Sequence, residues 1–162
     1  MKIPYRAIGT IHSPFASLEG MPIQPTGENS AEGTVEIYAE YAEGLQDLEG
    51  FSHIYLLYHF HRSGGTKLTV TPFMDTAQRG VFSTRAPSRP NPIGLSLVEL
   101  VKVEGNRLHV RGLDVLDGTP LLDIKPYVAA FEPNQNNRVG WLESARDRVR
   151  ITRADKRFTE DP

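Results

Sequence analysis

Leu95-Ser96-Leu97-Val98-Glu99-Leu100-Val101-Lys102-Val103, then Glu104-Gly105-Asn106, then Arg107-Leu108-His109-Val110-Arg111-Gly112-Leu113-Asp114-Val115, is the stretch that decides the fold. Both flanks read as strands, and Gly105-Asn106 offers residues that accept the positive φ of a tight hairpin turn. Working outward, the apolar pattern stays strand-like, in short runs punctuated by Gly, Pro and Asp. Residues 3–12 and 33–38 alternate, Ser52 to His61 makes a long strand, and 67–72 and 79–84 add two more. Asp117-Gly118 marks a turn before strand-like Leu121-Leu122-Asp123-Ile124. Helical signals are few: Tyr41, Leu45, Leu48 and Phe51 around a stop at Gly50, and a stripe over 141–150 with Trp141, Leu142, Ala145 and Val149. Many short strands without strand–helix alternation predict a mainly β fold, a compact barrel or sandwich with a few short helices. A doubly wound Rossmann sheet does not fit that pattern.

The chain has 162 residues, and we expect one domain across 1–162 with a core large enough to need no staple. It contains no cysteine, which excludes thiol catalysis and Cys-ligated metal. Met1 to Arg6 lacks a signal-peptide core, and no apolar run approaches the ~18 residues of a membrane span. A cytoplasmic protein with no membrane partner is therefore expected. The net charge of -2 hides an asymmetry. Residues 1–66 carry eight acids and three bases, whereas 67–162 carry fifteen bases and twelve acids. The basic residues concentrate in 138–157, either a phosphate-contacting footprint or a solvated face.

The densest chemistry lies in Arg79 to Gly94, where a strand ends near Thr84 and enters a loop with Pro87, Pro90 and Pro92. Prolines fix φ and bias the preceding residue toward extended backbone, so the loop is stiff. Arg85 and Arg89 on it suit a carboxylate or a phosphate. Asn91 both donates and accepts, as an adenine edge requires. A rigid surface loop with ordinary ion pairs satisfies the same pattern. No Gly-rich dinucleotide fingerprint or P-loop is present, so a nucleotide-like ligand would be held by loops on a β scaffold.

His53, His59 and His61 share strand parity with Tyr55 and Leu57. No acid lies on that strand, and a polar or ligand-facing role is favoured over a metal site. His61-Arg62 opens the Ser63-Gly64-Gly65 loop, where backbone can approach a ligand closely. Asp123 and Lys125 at a strand end read as a structural ion pair, and Met21-Pro22-Ile23-Gln24-Pro25 as another proline-stiffened loop.

Four segments together resemble the TsaA-like family, whose best-known members are the TrmO tRNA methyltransferases. They are Ile8 through Phe15, Leu48 through His53, Gly80 through Ser96, and Asp117-Gly118-Thr119-Pro120-Leu121-Leu122-Asp123-Ile124-Lys125-Pro126-Tyr127. The resemblance covers Tyr5 to Phe131 and implies a β-barrel that binds S-adenosylmethionine (SAM) without a Rossmann fold and works as a homodimer. By motif, it places SAM contacts on Pro22, Ile23, Gln24, His61, Arg62, Arg85, Leu95, Asp123, Ile124, Lys125 and Pro126. No metal is implied.

The activity implied is methylation of the exocyclic nitrogen of threonylcarbamoyladenosine beside the anticodon of tRNA. Asn91 is the candidate catalytic residue, orienting the acceptor nitrogen, and Arg89 the candidate for a substrate phosphate or carboxylate. Bacterial members carry an extra C-terminal domain implicated in tRNA engagement. Here the basic 138–157 stretch, with a partner subunit, is expected to serve instead. The alternatives are a methyltransferase for another RNA or a small molecule, and a SAM-binding regulatory module without turnover.

Overall fold

The computed structural model describes residues 1–21, 23, 30–133, 137–148 and 152–158, with 146 and 147 described for backbone only. Its strands are β1 (Gly9–His12), β2 (Ala31–Ile37), β3 (His53–His59), β4 (Thr69–Val70), β5 (Arg79–Gly80), β6 (Ile93–Glu104), β7 (Arg107–Leu113) and β8 (Thr119–Pro126). Six of them close into a barrel in the order β1-β2-β7-β6-β3-β8, with every neighbouring pair antiparallel. Closure pairs both edges of each of the six barrel strands among the described residues. Strands β4 and β5 form a separate two-stranded ribbon.

Strand alternation builds the core. Ile54, Leu56 and Tyr58 of β3 point inward, as do Val98 and Leu100 of β6 and Leu108 and Val110 of β7. They meet Ile11, Val35, Ile37 and Leu121 from the remaining strands. A second, smaller cluster joins Val70, Val81 and Ala86 to Phe158, so the C-terminal segment packs on the ribbon and the loop after it.

The central hairpin turns through Gly105 and Asn106 as expected, but only Gly105 takes a positive φ, of 61°. Asn106 contributes differently, its side-chain amide donating to the Ile37 carbonyl at 2.7 Å. The N-terminal strand is shorter than 3–12, because pairing with β2 and β8 begins only at Gly9. The 79–84 strand shortens likewise: after Gly80 the chain turns into a 3₁₀ turn, Val81–Ser83. Other 3₁₀ turns span Ala39–Leu45, Leu48–Gly50, Ala129–Phe131 and Gly140–Arg148, and no α-helix occurs among the described residues. Val149 of the expected helical stripe lies outside the described residues. No helix among the described residues is long and apolar enough to cross a membrane.

Candidate functional site

The loop from Thr84 to β6 is held from within. Arg89 turns its Nη1 back on the loop and donates to the carbonyls of Val81 (3.1 Å), Thr84 (2.8 Å) and Ala86 (3.2 Å). Its guanidinium also lies 5.9 Å from the Phe82 ring centroid. Backbone bonds from Arg89 to Pro87 and from Ile93 to Asn91, at 2.8 and 2.7 Å, close two further small turns. Hydrogen bonds from a charged donor are each worth about 1.5–3 kcal/mol, so this clamp adds to the stiffness the prolines impose.

Beside the loop, Tyr58 and Ser96 stand on inward-facing rows of β3 and β6, and Asp114 follows the end of β7 between buried Leu113 and Val115. Tyr58 faces Gly94 across the β3–β6 pair, and a Cβ on Gly94 would sit 2.1 Å from the Tyr58 ring. Only glycine lets the ring lie flat across β6. The Tyr58 hydroxyl then reaches Ser96 Oγ at 2.9 Å, and the Ser96 hydroxyl donates to Asp114 Oδ1 at 2.5 Å. A serine hydroxyl has one proton, so Tyr58 donates to Ser96. Burial pushes the Asp114 carboxyl up to about 7, against the opposing pull of the Ser96 bond and the Arg85 charge. Burial likewise holds the Tyr58 phenol well above its ordinary range.

Asp114 lines two cavities. The larger, about 280 Å³, is walled by Ile23, Arg85, Arg89, Leu95 and Tyr58. The smaller, about 30 Å³, is walled by His61, Arg62 and Thr119. His61 is held below its ordinary pKa by burial and by the neighbouring Arg62 and His59. A third cavity, about 540 Å³, opens on the far side of Arg85 between Phe82, Trp141 and Phe73.

Ile23, Arg85, Leu95 and Arg89 therefore come together around one cavity, and His61 and Arg62 around its neighbour. Asp123, Ile124, Lys125 and Pro126 border neither of these two cavities. They belong to β8, where Asp123 stands opposite Leu57, which stands opposite Leu95. That row of three crosses the outer face of the barrel and spans roughly 10 Å at two strand spacings. Lys125 and Asp123 pair at 3.0 Å, in an exposed position. Asn91 is exposed at the loop tip and borders none of the three cavities. Pro22 and Gln24 lie outside the described residues, as do Arg150 and the side chain of Arg146.

Part of the basic C-terminal stretch is engaged internally. Arg157 pairs with Asp155 at 2.7 Å, donates to the Pro72 carbonyl at 2.6 Å and lies 5.2 Å from the Phe73 ring centroid. Among the described residues no cluster of three or more His, Asp or Glu could hold a metal ion.

The Tyr58–Ser96–Asp114 relay was missed by motif reasoning. The signal was present in part as parity, since Tyr58 falls in phase with Ile54 and Leu56, and Ser96 with Val98 and Leu100. Asp114 was hidden, because a bulge in β7 opposite Ala31 and Glu32 shifts the inward row to Leu113 and Val115 and leaves Asp114 between them. Two hydroxyls on inward rows are an anomaly that composition alone does not flag.

Comparison with known proteins agrees with this architecture. A family model described as the tRNA-methyltransferase O N-terminal domain matches residues 10–133. A probable S-adenosyl-L-methionine-binding protein of Pyrococcus abyssi is 53% identical over 158 residues, covering 98% of this chain and 86% of that protein. The Escherichia coli tRNA (adenine(37)-N6)-methyltransferase is 40% identical over 151 residues, covering 87% of this chain and 64% of that enzyme. The crystal structure of TrmO from Pseudomonas aeruginosa superposes with a TM-score of 0.72 at 40% identity, covering 87% of this chain and 63% of that one. The present chain thus spans less than two thirds of those two longer relatives. With the match running across most of the barrel, the chain belongs to the family of the tRNA-methyltransferase O N-terminal domain.

Proposed function

We propose that this chain is a SAM-dependent methyltransferase acting on the exocyclic nitrogen of threonylcarbamoyladenosine beside the anticodon of a tRNA, in the cytoplasm and as a homodimer. The observation that carries the reading is the clamped Arg85–Asn91 loop over the Asp114 cavity, in a barrel whose relatives are named for SAM binding or for tRNA adenine methylation. The residues fit the group. Arg85 offers a cation for the amino-acid carboxylate, while Ile23 and Leu95 give apolar walls, and the row Leu95–Leu57–Asp123 continues the surface beyond the cavity mouth.

When bound, SAM supplies an electrophilic methyl group on a sulfonium sulfur. The protein's part is to hold the acceptor nitrogen in line and exclude water. Arg85, Leu95 and Ile23 hold the donor together with His61, Arg62 and the Asp123–Pro126 segment. Asn91 at the exposed loop tip orients the acceptor base. Arg89, fixed by its Nη1 clamp, presents its remaining donors to a phosphate or carboxylate of the RNA. Anticodon-loop bases are already partly unstacked, which lowers the cost of splaying one into the site.

A second reading has its own support. The P. abyssi relative and a Methanothermobacter thermautotrophicus relative, of whose lengths this chain covers 86% and 91%, are named only as probable SAM-binding proteins. A SAM-binding module without turnover is consistent with those names. Incubation with methyl-labelled SAM and tRNA, bearing or lacking the threonylcarbamoyl group, separates the two. Label on the modified tRNA alone is expected, and SAM binding by calorimetry with no label on either RNA would favour the module. In the same calorimetry Arg85→Ala is expected to weaken SAM binding by about tenfold or more, the loss of one charge-assisted bond. An unchanged affinity removes Arg85 from the donor site.

A further inference from the structure

The relay at the cavity floor is an expensive piece of construction. A carboxyl taken from water into a barrel end costs several kcal/mol unless hydrogen bonds replace its hydration, and an apolar residue in the same place would cost nothing of the kind. Here the chain gives up a side chain at Gly94 so that Tyr58 can lie against β6. Tyr58 in turn fixes the Ser96 hydroxyl, whose single proton is committed to Asp114 Oδ1. All donors in the relay run toward the carboxylate. That direction stabilises the ionised form and aims it, and Asp114 is the member that borders both the Arg85 cavity and the His61 cavity.

We propose that Asp114 is the proton acceptor of the methyl-transfer site, with Ser96 and Tyr58 as its positioning residues. This rests on the methyltransferase reading. Methylating the acceptor nitrogen makes one N–C bond and obliges that nitrogen to lose its hydrogen as a proton. The donor sulfur keeps the electron pair of the broken S–C bond and becomes a neutral thioether. The Asp114 carboxylate takes the proton, becomes a carboxylic acid, and returns it to solvent through the cavity mouth. A nitrogen that lies between an adenine ring and a carbamoyl group is a poor nucleophile, so removing its proton as the bond forms matters more than for a simple amine.

The electrostatics agree with the geometry. Burial holds the Asp114 carboxyl near 7, where a general base is most useful at neutral pH, and the Ser96 bond and the Arg85 charge keep it from rising further. The other ionisable groups that border these cavities are Arg89 and Asp155 on the larger and His61 and Arg62 on the smaller. His61 is held below its ordinary value by burial and by the neighbouring Arg62 and His59, which disfavours its charged form beside Asp114. Because the carboxylate is the working form, the transfer rate should rise with pH to a plateau above about 7.

The test has two arms. In the first, carbon-13 NMR of labelled aspartate carboxyls is followed against pH in the protein without donor or RNA. One carboxyl is expected to titrate near neutrality, to vanish in Asp114→Asn, and to move to higher pH in Ser96→Ala, where a bond to the charged form is lost. In the second, single-turnover transfer to threonylcarbamoyl tRNA is measured against pH. Asp114→Asn should lose about 100-fold or more in rate, with SAM affinity by calorimetry within threefold of wild type. The Ser96→Ala and Tyr58→Phe rate profiles should follow the shifted carboxyl. An Asp114 that titrates in the ordinary carboxylate range, or an Asn variant that transfers within threefold of wild type at pH 8, would overturn the proposal while leaving the methyltransferase reading intact. A wild type that binds SAM and transfers to no tRNA would overturn both. If Asp114→Asn does not fold, Ser96→Ala and Tyr58→Phe decide: rate profiles unmoved in both dismiss the relay.

Discussion

Gly94 shows how one missing side chain sets the site. Its backbone is ordinary, with no positive φ, so the requirement is spatial: an added Cβ would approach three atoms of the Tyr58 ring within 2.1–2.8 Å. Gly94→Ala must therefore displace the ring and break its bond to Ser96. Overpacking a core contact costs about 1–3 kcal/mol, and a buried hydroxyl left without its partner adds about 1 kcal/mol. Urea unfolding should show a loss of about 2–4 kcal/mol. The mechanism is checked by a double-mutant cycle: with Tyr58→Ala already present, Gly94→Ala should cost less than 1 kcal/mol, and an undiminished cost would dismiss the clash. Nothing in the one-dimensional pattern announces this, because a glycine near a strand start reads equally well as a bulge or a turn. The same holds for Asp114, which follows a bulge in β7 and takes its meaning from the Ser96 hydroxyl that reaches it.

The loop between Thr84 and β6 was legible as stiff, because three prolines act through covalent geometry alone. The clamp was not legible, because it depends on Arg89 folding back over residues five and eight positions earlier. An arginine that reads as a free cation turns out to organise the loop that carries it. Arg89→Lys keeps the charge but cannot offer one planar nitrogen to three carbonyls. Amide hydrogen exchange at Ala86, Arg89 and Ile93 is expected to accelerate at least tenfold in the lysine variant, while strand amides of β7 stay protected. Unchanged exchange at all three would show that the prolines suffice. Strand boundaries follow a related logic. The 95–115 hairpin was readable because its partner is next in sequence and its turn is explicit. The limits of β1 depend on β2 and β8, and no local signal reports where a strand from the far end of the chain stops pairing.

At the scale of the molecule, Asp123 and Lys125 share the outer face of β3, β6 and β8 with Leu95, through the row Leu95–Leu57–Asp123. The next row, Leu97–Tyr55–Lys125, runs parallel to it. Ile124 and Pro126, by contrast, stand opposite inward-facing Leu56 and Ile54 and line a separate cavity of about 830 Å³ with Asp123. Ile93, Leu95 and Val101 leave 39%, 45% and 47% of their surface exposed on β6, a concentration of apolar side chains on one side of a strand. A donor extending from the Arg85 cavity over Leu95 toward Asp123 would lie open to water on this face. A second copy of the chain laid across it would cover both the apolar side chains and the donor, which is the physical reason to expect a homodimer here. Leu97 is outward-facing and half-buried, and it belongs to neither cavity, so Leu97→Asp tests the arrangement without touching the relay. Sedimentation is expected to give a dimer mass for the wild type and a monomer mass for the variant, with thermal unfolding of the isolated barrel little changed. SAM affinity should fall tenfold or more on dissociation if the partner's surface covers the donor on this face. A wild type that sediments as a monomer at micromolar concentration and still binds SAM would mean that one barrel encloses the donor by itself, and the Asp123–Pro126 segment would then lose its place in the site.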